Sequence, residues 1–599
     1  MIIRGLKSEF YDVLVAQADH ILVLVARDVD ACCAAEILMH GLRVEHKSHS
    51  TVSVGSTDDV KRTVGDYIDK GQKHVVMFNC GATENLRALL FPPDENNEEP
   101  EIPAGFTVFV IDSRRPIDLD NVYDPTFIRV LVLPTEDLRH IPPMDTVVDP
   151  FDPDDPNYDE HEHRVWQKQR DDKIWTYYAA VWYKTPSSLL MVTLISEKSL
   201  CTVDICWIGI VGVASLLLNG EWNREEYNMA CASQLRPLVR ACDRTQTTDS
   251  LVVEFNNDVW LPFYRHWSLS DSAKHCMTVF TEFMLAQQNG HQHLLKFFAD
   301  IGFPVSECEQ QYQSMKTNYR KELVDGIYDR AEAWGIDDVL HGVYSASWSF
   351  THRVSAFEHA CAVAALMHMD TDNQTQTEEQ RFWSAALCLH KTNTAQLYHG
   401  IELYKSYLRA CTREITAALV HSNTVHCQSY LHLHVGEGID AAVLSRPIAI
   451  VNFARFHLRA YMRKKYGRKK RRSRQQRSPL PLVVSVEQPG GWNVVAGVPP
   501  VEAELQPETP QTIIPRAFES AAEDADVAVE QIGFGGAVVR LRTVDRCRFM
   551  ARLMQVLEQG GELEQQHATA TKAKTKRIDI DESLSELATE TPSQESTDL

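Results

Sequence analysis

The run Ile21-Leu-Val-Leu-Val-Ala26, followed at once by Arg27-Asp28-Val29-Asp30-Ala31, constrains this chain more than any other feature. Six apolar residues without polar alternation form a strand buried on both faces, the condition of a parallel sheet covered by helices. Ligands of such sheets bind beyond the carboxyl ends of the strands, where two carboxylates here stand one residue apart. The pattern recurs twice. Val75–Phe78 ends in Asn79-Cys80-Gly81, and Thr107–Ile111 ends in Asp112-Ser113-Arg114-Arg115. Three strand ends can therefore gather Asp28, Asp30, Asn79 and Asp112 around one cleft. A second reading of Asp28 and Asp30 is a helix N-cap with a first-turn charge.

These strand ends resemble, in depleted form, the metal motifs of the DHH phosphoesterase family, which includes RecJ-type single-strand exonucleases. Ala26 stands at the first carboxylate of the family's first motif, Asn79 at the carboxylate of its second, and Asp112-Ser113-Arg114 where the family reads Asp-His-His. Arg114 brings a permanent cation that cannot deprotonate to make way for a metal. Two-metal hydrolysis needs bridging ligands and an activated water between the ions. The resemblance thus implies a vestigial cleft of Asp28, Asp30, Asn79, Asp112, Ser113 and Arg114, with no catalytic residue, metal ligand or cofactor. The rival expectation is a metal-dependent phosphoesterase or single-strand exonuclease in which Asp28, Asp30 and Asp112 hold a cation despite Arg114.

A chain of 599 residues exceeds one core, so two to four domains are expected. A formal net charge of −22 speaks against a protein that coats nucleic acid by itself, because affinity for phosphate backbones comes mostly from Lys and Arg. The 14 cysteines contain no Cys-x-x-Cys pair and read as buried thiols of a reducing compartment. The charged N-terminus is not that of a signal peptide. Ile205–Leu218 is apolar but too short to span a bilayer, so a soluble intracellular protein with no membrane partner is expected.

The fold class expected is α/β: an N-terminal DHH-like, mainly parallel sheet domain, a helical middle insertion, and a C-terminal DHH-associated-like α/β domain. The boundaries drawn are 1–148 for the first domain, 149–164 for an acidic flexible loop, and 165–255 for helices completing that domain. A helical interdomain region follows over 256–420. The C-terminal domain covers 421–560 with a basic loop at 459–477, and 561–599 is read as a disordered acidic tail. Two strongly apolar helices are expected within 187–218. Ala441–Phe456, Leu480–Val486 and Trp492–Val498 look β-rich, and Arg516–Glu523 and Asp545–Glu558 helical.

The basic run from Arg463 to Arg477 stands out in an acidic protein, and Arg468, Lys469, Lys470, Arg471 and Arg472 form a nuclear-localisation candidate. A phosphate-binding patch and a solvated loop are the other readings. His161-Glu-His163 and His432-Leu-His434 lack further ligands at metal-site spacing, and Gly533-Phe-Gly-Gly536 lacks the strand–helix setting of a nucleotide loop.

A second, longer resemblance is to the cell division control protein 45 family, eukaryotic relatives of RecJ. It runs from about Glu9 to Leu557 through Glu9-Phe-Tyr-Asp-Val, Asp28-Val-Asp-Ala, Asn79-Cys-Gly-Ala and Arg115-Pro-Ile-Asp-Leu-Asp-Asn-Val-Tyr123. It continues with His266-Trp-Ser-Leu-Ser-Asp-Ser272, Phe298-Ala-Asp-Ile-Gly-Phe-Pro304, Leu397-Tyr-His-Gly-Ile-Glu-Leu403, Ser445-Arg-Pro447, Gly497-Val-Pro-Pro500 and Arg516-Ala-Phe-Glu-Ser-Ala-Ala522. The resemblance implies a non-catalytic nuclear subunit of the replicative helicase. Its implied partners are the MCM helicase ring, the GINS complex and replication initiation factors, with single-stranded DNA as a candidate ligand. Ser113-Arg114 departs from relatives that keep a His there.

Overall fold

A computed structural model describes the chain except for residues 94–99, 101, 152–158, 243–250, 349–351, 370–375, 468–479, 502–511 and 559–599. The N-terminal sheet is built from β1 (Ile2–Ile3), β2 (His20–Ala26), β3 (Ser48–Val54), β4 (His74–Phe78), β5 (Thr107–Ile111) and β7 (Ile128–Leu131), with β6 (Arg114–Arg115) set apart. Its order is β1-β7-β5-β4-β2-β3 and every pairing is parallel. The α/β class expected from the apolar runs is therefore the one observed. Ile21–Ala26 is buried throughout because the sheet has helices on its faces. The pairings Val25↔Phe78 and Phe78↔Ile111 bring the carboxyl ends of β2, β4 and β5 to one level.

After β2 the chain enters the helix Val29–Val44, whose first turns are small residues, Ala31-Cys-Cys-Ala-Ala35. Against it pack the helices Ser187–Glu197 and Val203–Leu218, the apolar pair expected within 187–218. Glycine makes this approach feasible: a Cβ on Gly212 would lie 2.5 Å from Cβ of Ser188 and 3.1 Å from Cβ of Cys33.

The middle of the chain departs from the helical expectation for 165–255 and 256–420. Tyr183 and Trp182 form β8, which pairs with β6, and β9 (Val252–Val259), β10 (Leu340–Trp348) and β11 (His352–Ser355) build a three-stranded antiparallel sheet. The strands carry polar residues at many positions, so no apolar run marks them, and pairing across about 80 residues makes them. The buried helix Ala356–His368 starts behind a reciprocal cap in which Ser355 and Glu358 each accept the other's backbone N–H.

The C-terminal sheet has the order β12-β13-β14-β15-β17-β16, from Val425–His426, Leu431–Val435, Leu482–Gln488, Trp492–Val498, Val538–Arg542 and Val529–Gln531. Only β13 and β14 run parallel. Leu482, Val484 and Val486 join the large core with the helix Pro447–Tyr466; Val483 faces the helices Ile514–Ala525 and 546–558.

Three expectations need correction. Ala441–Phe456 is helical, not β-rich: Ile439–Leu444 is followed by Pro447–Tyr466, with Pro447 in the first turn. A short apolar run fits either element, and here the helix buries one face on the sheet. The basic loop drawn from 459 is helical to Tyr466. The acidic loop drawn to 164 ends sooner, because the helix Glu160–Tyr178 begins behind the Asp159 cap. Residues 152–158, the basic cluster 468–472 and the tail 561–599 lie outside the described residues.

Candidate functional site

The level strand ends place Asp28, Asn79 and Asp112 side by side, and the first turn of Val29–Val44 adds Asp30. Asp28 is the N-cap of that helix, its Oδ1 accepting from the Ala31 N–H at 2.7 Å. Asn79 holds a left-handed φ of 52°, which asparagine tolerates. Its Nδ2 donates to Asp28 Oδ1 at 3.2 Å and to Asp30 Oδ2 at 3.1 Å. Its Oδ1 accepts from Ser187 Oγ at 2.7 Å and from the Ser113 N–H at 3.3 Å. An amide suits both sides of this position. A carboxylate would set a further negative charge against Asp28 and Asp30 and supply no donor.

Asp30 is 3% exposed and faces the N-terminus of the helix Ser187–Glu197. Its Oδ2 accepts from the Ser187 N–H at 2.9 Å, and its Oδ1 accepts from the Ser188 N–H at 3.0 Å and from Ser188 Oγ at 2.6 Å. The helix end that elsewhere binds a ligand anion thus binds an internal carboxylate. With Asn79, both oxygens of Asp30 are fully used. Burial, and then the nearby charge of Asp28, push its carboxyl up to about 6.

Arg114 closes the group from β6. Its Nη2 pairs with Asp28 Oδ2 at 3.1 Å, its Nη1 lies 3.6 Å from Asp112 Oδ1 and donates to the Asn79 carbonyl, and its N–H donates to Asp112 Oδ1 at 2.9 Å. Burial works against the guanidinium charge, but Asp112 and Asp28 outweigh it and hold the group firmly protonated. Asp28 is driven upward by burial, with Arg114 opposing. Asp112 Oδ2 accepts from the Ala82 N–H at 3.3 Å. Arg115 makes a two-point pair with Glu136 at 2.7 and 2.8 Å.

All six cleft residues named from sequence therefore meet, Ser113 through its backbone N–H. Sequence reading missed Ser187 and Ser188, which come from a helix more than 150 residues after Asp30. It also missed Glu221, in the turn beyond Val203–Leu218, whose carboxyl burial raises to about 8 against the pull of Arg114. The one available signal was the polar Ser187-Ser188 pair opening an apolar helix. Arg468 to Arg472 cannot be placed, being outside the described residues.

The donor set does not fit a divalent cation. The oxygens that would face one already accept from Asn79, Ser187, Ser188, Ala31, Ala82 and Arg114, and the central charge is a guanidinium. Among the described residues no group of three or more His, Cys, Asp or Glu side chains is disposed to hold a metal ion.

The chain has known relatives. The CDC45 family profile matches residues 21–141 and 152–556. The cell division control protein 45 homologs of Mus musculus and Homo sapiens are 27% and 26% identical over 594 and 592 residues, covering 93% of this chain and 100% of theirs. The crystal structure of CDC45 from Entamoeba histolytica aligns with a TM-score of 0.67 at 16% identity, over 93% of this chain and 100% of that one, a likeness of fold.

Proposed function

The chain belongs to the CDC45 family, and on that footing we propose that it is a non-catalytic structural subunit of the eukaryotic replicative helicase. In this reading it works in DNA replication beside the MCM ring and the GINS complex, in the nucleus. Its physical role is to buttress the open side of the ring with GINS, favouring the closed state by binding it preferentially. Replication initiation factors are its further partners and single-stranded DNA a candidate ligand. Import rests on the basic cluster Arg468 to Arg472.

The observation that carries the non-catalytic part is Arg114 seated between Asp28 and Asp112, with the Asn79 amide filling the gap to Asp30. A two-metal hydrolase needs carboxylates with free lone pairs bridging the ions. Here the lone pairs are committed to protein donors, and the cleft is a vestige that ties together β2, β4, β5 and the helix Ser187–Glu197. A net charge of −22 favours docking on other proteins over autonomous DNA binding.

The test is mass spectrometry of proteins co-purifying with the tagged chain from chromatin of replicating cells. Near-stoichiometric MCM and GINS subunits are expected, and their absence from a folded, soluble preparation would refute the helicase assignment. The rival phosphoesterase is tested separately by calorimetric titration with Mn²⁺. No binding at millimolar metal is expected; micromolar binding abolished by Asp112→Ala would establish the enzyme instead.

A further inference from the structure

Fourteen cysteines in a chain of this kind are mostly inert core residues, and eleven of them are buried. Three depart from that pattern by meeting one another. Thr202 is the N-cap of the helix Val203–Leu218, its side chain accepting from the Ile205 N–H. Cys201 therefore occupies the position before the cap and Cys206 the fourth helical position. Those two positions face each other in the hydrophobic staple that fixes how a chain enters a helix. In this protein both staple residues are thiols. The helix Arg236–Cys242 ends on the same spot, and the Cys242 thiol donates to the Cys201 carbonyl at 3.6 Å. The Cys206 side chain interacts with those of Cys201 and Cys242, so the three side chains gather at one place.

Exposure is graded across the trio. Cys206 is 1% exposed and Cys242 9%, while Cys201 is partly open to solvent. A small oxidant can thus reach the cluster without unfolding it.

We propose that Cys201, Cys206 and Cys242 form a peroxide-reactive thiol site that closes a reversible disulfide between Cys242 and the staple at the start of Val203–Leu218. Hydrogen peroxide is the oxidant. The Cys242 thiolate attacks one peroxide oxygen, the O–O bond breaks, and the departing hydroxide takes a proton to leave as water. Cys242 is then a sulfenic acid. The Cys206 sulfur, losing its proton, attacks the Cys242 sulfur; the S–O bond breaks and a second water departs. Two thiols have given up two electrons and two protons to one peroxide. Cys201, in contact with Cys206, can exchange into the bond.

The chemistry favours Cys242 as the attacking group. In the thiol form Cys242 donates to the Cys201 carbonyl. Once that proton is lost, hydrogen bonding from Cys206 outweighs burial and, with Cys201, holds the thiol below its ordinary pKa, while Cys206 is raised. The product would pin the end of Arg236–Cys242 to the entry of Val203–Leu218, the helix that packs on Val29–Val44 beneath the cleft.

The experiment treats the full-length reduced protein with stoichiometric hydrogen peroxide, followed by non-reducing peptide mass spectrometry. The expected product is an intramolecular disulfide joining Cys242 to Cys206 or Cys201, reversed by dithiothreitol. Cys547, which is exposed and outside the trio, is the internal reference. In untreated protein, iodoacetamide labelling at pH 7 should modify Cys242 at least threefold faster, per exposed fraction, than Cys547. The rate should rise with a midpoint below the ordinary thiol range. Cys242→Ser should remove the disulfide while leaving Cys547 oxidation unchanged. Oxidation confined to Cys547, or a Cys242 labelling midpoint above pH 8, would overturn the proposal even if the serine variant did not fold.

Discussion

Replacing Arg114 by methionine removes one cation from between the buried Asp112 and the partly buried Asp28 while keeping most of the side-chain volume. The guanidinium pairs with Asp28 at 3.1 Å, stands 3.6 Å from Asp112, and is 8% exposed. Deleting one partner of a buried ion pair costs about 3–5 kcal/mol, because the other charge stays desolvated and uncompensated. Two of the contacts to Asp28, from Ala31 and Asn79, survive the change. The lower part of the range, about 3–4 kcal/mol at pH 8, is therefore expected. The sign of the pH dependence follows from the carboxylates. In Arg114→Met, Asp28 loses the charge that opposed its upward shift, so its folded pKa rises further above the unfolded value. The folded variant then holds protons that the unfolded chain has released, and its stability recovers as pH falls. The deficit against the parent should narrow steadily from pH 8 to pH 5. The assay is urea unfolding followed by tryptophan fluorescence at each pH, with Asp28→Asn and the double variant completing a cycle. A coupling of about 2 kcal/mol between the two positions is expected. A deficit below about 1 kcal/mol at pH 8, the value of an exposed pair, or one that widens toward acid, would refute the placement of Arg114 as the buried counter-ion.

Three shorter predictions follow from the same contacts. Ser188→Ala removes the 2.6 Å bond to Asp30; it should cost about 1.5–3 kcal/mol near neutral pH and move the Asp30 carboxyl titration, read by carbon NMR, above its parent value near 6. A titration that moves down would contradict the assigned donor. Asn79→Asp keeps the shape but exchanges a shared donor for a charge, so a loss of about 3–5 kcal/mol at pH 8 is expected, shrinking below pH 6; an unchanged urea midpoint would count against the amide's role. Gly212→Val drives a side chain into Ser188 and Cys33 and should cost about 2–3 kcal/mol by overpacking, with a matching fall in the urea midpoint.

The limits of sequence reading show in particular elements. The strands ending at Ala26, Phe78 and Ile111 were legible because burial on both faces leaves an unbroken apolar run. Their endpoints then fixed which polar residues would stand together. The strands Val252–Val259 and Leu340–Trp348 were not legible, since each is half-polar and is stabilised by a partner far along the chain. Pro447–Tyr466 misled because its apolar start is as consistent with a buried strand as with a helix.

Within the cleft the division is equally physical. Residue type and strand position already pointed to Asp28, Asp30, Asn79 and Asp112 sharing one place, with Ser113 and Arg114 directly following Asp112. Two readings of Asp28 were open in the sequence, cap or remnant site. The tertiary structure shows the cap and, at the same carboxylate, the ion pair with Arg114. Only the tertiary structure brought in Ser187 and Ser188, and with them the saturation of Asp30, because hydrogen-bond partners chosen by packing carry no signature at the position they serve. The thiol trio divides in the same way. The spacing of Cys201 and Cys206 around a helix cap is local and written in the chain, whereas the arrival of Cys242 depends on how two helices pack, which no spacing records.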